Sequence, residues 1–163
     1  MKFFSNLDKA FSKVLDVISV ALNAAILIII LLQVVTRNLF SFSIGKLAEY
    51  PVYLMIYAVW VAAILVARAD DHLTIELLDV FIKNKKIVKL MKIIIGYLVA
   101  VTLAVFAFYS FQYVGTLMNR NQIETGTGLP MAVLAAIIPI SAVFQSIYYF
   151  VNMTKLARRL NDE

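Results

Sequence analysis

The segment "ARADDHLTIE" crowds Arg68, Asp70, Asp71, His72 and Glu76 into nine residues and holds the only histidine of the chain. Carboxylates beside an imidazole are the raw material of a proton relay or a metal site. A metal needs three or four converging donors, and neither a second histidine nor any cysteine is present to complete a haem or thiolate set. No GxSxG elbow, P-loop or facing carboxylate pair occurs elsewhere, and "TGTG" is too short to cradle phosphate. The chemistry on offer is therefore polar anchoring rather than catalysis, and the chain does not read as an enzyme. Asp70 or Asp71 serves as a helix cap. His72 keeps two readings, a headgroup-level residue pairing with the turn of Arg68 or with Asp71, or a contact to a partner.

What positions this segment is apolar helix. Eighteen uncharged residues separate Glu49 from Arg68, and similar gaps of 20, 27 and 30 residues separate Asp16 from Arg37, Lys92 from Arg120 and Glu124 from Lys155. At about 1.5 Å per residue, roughly 20 residues cross a bilayer core of about 30 Å. The sequence thus predicts an all-α integral membrane protein with four transmembrane helices, at 17–36, 50–67, 93–119 and 130–154. Two amphipathic helices, 1–16 and 71–83, are predicted to lie along the interface. With 63% hydrophobic residues and a mean hydropathy of +0.89 there is no room for a soluble domain, so 1–163 is a single membrane unit. Pro130 opens the last span, and Pro139, inside it, cannot donate to the carbonyl of Ala135, so a kink is expected there.

Fifteen lysines and arginines against ten acids give a net charge of +5, but their placement points to topology, not to nucleic acid. Twelve fall before the first span, in the second loop or in the tail; Arg37, Lys46 and Arg120 alone fall in the other two loops. Both termini are therefore expected in the cytoplasm. No Asp, Glu, Lys, Arg or His lies inside a predicted span, whereas an ion-coupled carrier usually keeps an ionisable group or a broken helix at mid-membrane. The spans instead carry small residues at helical spacing: Ala58, Ala62 and Ala63 on the second, Gly96, Ala100 and Ala104 on the third, Ala132 and Ala136 on the fourth. Such residues let helices approach closely, with Asn23, Gln33, Gln112 and Gln145 available as polar pairs. Either they close the four helices on one another, or one stripe faces another protein.

The order "LLQVVTRNLF", Glu49 opening a helix, the Ala62-Ala63 pair, then Arg68 with "HLTIELL" resembles the small membrane subunit, DctQ-like, of tripartite ATP-independent periplasmic (TRAP) transporters. Arg37, Glu49, Arg68, His72, Gly128, Pro130 and Pro139 match the family's pattern over about 31–140. Departures are Tyr57 where tryptophan is usual, Ala62 where glycine is common, and Asp70-Asp71 in place of a glycine pair. The resemblance implies a multi-pass protein of the bacterial inner membrane that holds no cofactor or substrate site of its own. It also implies two partners, a larger polytopic subunit with the substrate and sodium sites and a periplasmic substrate-binding protein. The cargo would be an organic acid, a C4-dicarboxylate or a sialic acid, with overall similarity leaning to the latter. Ala58, Ala62, Ala63, Gly96, Ala100 and Ala104 would face the large subunit, while Arg37, Lys46, Glu49, Arg120 and Glu124 would help dock the binding protein. The rivals are an autonomous multidrug-type carrier acting as a homodimer and an accessory subunit of another membrane complex.

Overall fold

A computed structural model describes residues 2–40, 49–69 and 85–161. They form α1 (Lys2–Phe40), α2 (Tyr50–Ala69), α3 (Lys85–Asn119), the short α4 (Met131–Ala135) and α5 (Ile137–Asn161), an all-α architecture. Four stretches, Asp8–Leu39, Tyr50–Ala69, Lys86–Asn119 and Met131–Arg158, are long and apolar enough to cross a membrane. The predicted interfacial helix 71–83, with His72, and the loop residue Lys46 lie outside the described residues.

One boundary differs from expectation. The predicted division between an interfacial helix 1–16 and a span 17–36 is absent, and α1 runs unbroken for 39 residues, about 58 Å. No proline or glycine occurs between residues 2 and 40 to interrupt its hydrogen-bond ladder.

α1 packs on α2, α2 on α5 and α5 on α3, so the four long helices stand in a row with α1 and α3 at its edges. Buried Leu15, Val61 and Ile64 form a core where α1 meets α2, and Phe11, Phe144 and Tyr148 pack against it. The rings of Phe11 and Phe144 lie 4.9 Å apart. Leu15 beside Val61, and Asp8 beside Arg68, set a register in which the start of α2 comes level with about residue 26 of α1. The last turns of α1 run past it, with Leu27, Ile28, Leu31 and Leu32 exposed.

α3 ends where Asn121 takes a left-handed φ of 46°. The amide of Gln122 reaches back to Leu117 O at 3.3 Å and that of Asn121 to Met118 O at 3.1 Å, which closes the orphan carbonyls of the last turn. Gly128, at φ 75°, makes the reversal that a side chain would strain, and Met131 N donates to Gln122 O across the turn at 2.9 Å. The α4–α5 path is interrupted at Ala136, whose amide bonds Val133 O at 3.2 Å instead of continuing the ladder. The expected kink therefore falls one turn before Pro139, which is fully buried.

Candidate functional site

Polar side chains group at three levels of the row. At one end the start of α1, the end of α2 and the second half of α5 converge on Asp8. The guanidinium of Arg68 donates from Nη2 to Asp8 Oδ2 at 2.9 Å and from Nε to both carboxylate oxygens at 3.1 and 3.2 Å. Tyr148 donates its hydroxyl to Asp8 Oδ1 at 2.8 Å. A two-pronged contact of this kind fixes direction as well as distance, so one carboxylate aligns three helices. Asn152 strengthens the same end by donating to Ala67 O at 3.2 Å. Every atom of Asp8 that could act on a ligand is engaged; the group is a clasp.

At mid-depth the polar groups between helices bond one another. Ser141 donates to Trp60 O at 2.6 Å and accepts from buried Gln145 Nε2 at 2.9 Å. Ser146 donates to Ala100 O at 2.8 Å; towards the clasp Tyr97 and Thr154 share a bond of 3.0 Å, and towards the opposite end Tyr57 of α2 donates to Val133 O of α4. Unmet hydrogen-bonding groups are costly in hydrocarbon, and these join α5 to both of its neighbours.

At the other end Glu124 organises the turn between α3 and α4. Its carboxylate accepts from the Thr127 hydroxyl and amide, both at 2.6 Å, and from the Gly126 amide at 2.9 Å. These bonds, the Thr127 hydroxyl first, hold its pKa down to about 2. The Glu49 carboxylate rests against Gly126, where a Cβ would collide with it. Desolvation there, and then the charge of Glu124, raise the Glu49 pKa. The two acids shift in opposite directions, the bonded carboxylate of Glu124 down and the desolvated one of Glu49 up. Among the described residues no cluster of three or more metal-ligating side chains forms.

The structure redistributes the residues singled out from the sequence. Ala58 and Ala100 are 7% and 3% exposed, and Gly96 lies so close to Met153 that a Cβ would overlap its side chain. These three are covered by the chain's own helices, in keeping with the reading in which small residues close the helices on one another. Ala62 and Ala63 are half-buried, and Ala104 is exposed. Glu124 is 8% exposed and bonded into its own turn, whereas Arg37 and Arg120 are exposed. Sequence reasoning missed Asp8 as the partner of Arg68, because 60 residues separate them. The available signal was an acid three and seven residues before Phe11 and Leu15, on the same helical face as these apolar side chains.

Comparison with known families finds one match. A family model described as "Tripartite ATP-independent periplasmic transporters, DctQ component" matches residues 26–159. No curated protein matches the chain. The matched range includes Arg68, Tyr148, Glu49 and Glu124, and leaves out Asp8.

Proposed function

The chain belongs to the DctQ family of tripartite ATP-independent periplasmic transporter components, and on that premise we propose that it braces a larger membrane subunit during sodium-coupled uptake of an organic acid. The observation that carries this reading is the placement of charge. The ion pair and the carboxylate pair occupy the two ends of the row, while the polar groups packed between the helices, Ser141, Gln145 and Ser146, bond within the chain. Such a body transmits position. It resists shear at both ends and offers long apolar edges to a neighbour.

On this proposal the Arg68 end, with Lys9, Lys13, Lys155 and Arg158, faces the cytoplasm of a bacterial inner membrane, following the twelve-to-three distribution of basic residues. The Glu124 end then faces the periplasm, where exposed Arg37 and Arg120, with Lys46, meet the substrate-binding protein. The sodium and substrate sites lie in the large subunit, and the cargo is a carboxylate, of the C4-dicarboxylate or sialic-acid class.

Purification of the tagged chain from its native membrane in mild detergent tests the proposal. A large polytopic membrane protein should accompany it in stoichiometric amount. Recovery as a homodimer, or together with a redox enzyme, would overturn the reading in favour of a carrier or a respiratory accessory subunit.

A further inference from the structure

Between the helices of the row, polar side chains are answered from within the chain, but the outer face of α3 departs from that rule. Tyr109, Gln112 and Tyr113, three and four residues apart, share one helical face. The tyrosines are 64% and 59% exposed, Gln112 is exposed as well, and none of the three makes a side-chain hydrogen bond among the described residues. Beside them the interruption at Ala136 leaves two recesses. Tyr109, Tyr113, Ala135 and Ile138 line one of about 310 Å³, and Val114 links it to another of about 370 Å³ bordered by Leu117 and Val133.

The opposite edge makes the contrast. The exposed face of α1 is aliphatic, with Leu27, Ile28, Leu31, Leu32 and Val35, and Asn23 turns its amide back to Ser19 O at 2.8 Å. Acyl chains satisfy such a face. They offer nothing to a carboxamide and two phenols, which in hydrocarbon find partners on another helix. We infer that the α3 edge receives a transmembrane helix of the large subunit, which places an apolar side chain in the recess beside Tyr109 and a hydrogen-bonding group opposite Gln112. The α1 edge is left to lipid. This assignment rests on the small-subunit reading above and adds to it which edge is occupied, and by what chemistry.

A photoreactive phenylalanine analogue introduced singly at Gln112 or at Leu31 tests it in membranes that contain the whole transporter, with co-purification scored in parallel. The expected result is an adduct with the large subunit from position 112 and lipid adducts from position 31. Gln112→Leu should also weaken recovery of the large subunit roughly threefold, the scale of an interhelical hydrogen bond, at unchanged abundance of the small subunit. A large-subunit adduct from position 31 alone, lipid adducts alone from 112, or a crosslink from 112 to a second copy of this chain would each overturn the assignment while the large subunit still co-purifies. Loss of co-purification with the unaltered chain would instead defeat the small-subunit reading itself, and the assignment with it.

Discussion

Two pairs of antiparallel helices in this protein are joined by different physics. α3 and α5 meet along a seam where Gly96 admits Met153, itself 1% exposed, and where Ser146 reaches the Ala100 carbonyl and Tyr97 reaches Thr154. α1 and α2 share a smaller core and are pinned at one end by the Asp8–Arg68–Tyr148 clasp, beyond which α1 runs on with its aliphatic face bare. In a medium as apolar as the side chains, close packing is the stronger glue. The α3/α5 seam should therefore behave as the rigid part, and α1 as an arm held by a smaller core and the Asp8 clasp.

The difference breaks most visibly at Gly96. Gly96→Ala forces a methyl onto the buried Met153 side chain, at a cost of about 1–3 kcal/mol, and Gly96→Leu should prevent α3 and α5 from pairing at all. Thermal unfolding in detergent reads both, and an unchanged melting temperature for Gly96→Leu would show that the seam is not close-packed. Next in size, Arg68→Ala should cost only about 1 kcal/mol, since the pair is partly exposed. Yet it should selectively speed amide exchange in residues 8–16, with 96–104 unaffected. Equal acceleration in both segments would erase the distinction between arm and seam.

How far these pairs were legible in the sequence follows from the range of the forces. The spans were readable because bilayer thickness converts directly into uncharged length, and the interruption near Pro139 because a missing amide acts within one turn. The turn at Gly128 was likewise local. Asp8 and Arg68 were not readable as partners, because the register of two helices is set by side chains packing across them. The same holds for Gly96 and Ala100. Small residues at a spacing of four announce a close approach, but only coordinates show that Met153 and Ser146 make it. The bonds of Glu124 were not readable either, because nothing in its own position reveals that Gly126 and Thr127 fold back onto it.

Finer effects sharpen the comparison at the opposite end. Because the pKa of Glu124 is depressed to about 2, its stabilising contribution is present above its ordinary value of 4.5 and is lost as the pH falls from there towards 2. Glu49 has the opposite sign: its raised pKa makes its contribution complete below the ordinary value and declining as the pH rises through the shifted one. Glu124→Ala should remove exchange protection of the Gly126 and Thr127 amides at pH 6, and Glu49→Gln should flatten the loss on the alkaline side. Protection in Glu124→Ala equal to the parent would disconnect the carboxylate from the turn. Smaller still, Arg120→Glu should weaken association with the binding protein more at low salt than at high, while leaving the melting temperature alone. Smallest of all, Leu31→Ala on the bare face of α1 should change stability by less than about 0.5 kcal/mol.

The central claim is that this row of helices supports transport without conducting it. Reconstitution into vesicles with a sodium gradient and a labelled organic acid tests this most directly, with the chain alone and then with the large subunit and binding protein. Uptake should require all three components, and the chain alone should match empty vesicles. Gradient-driven uptake by the chain alone would contradict the account.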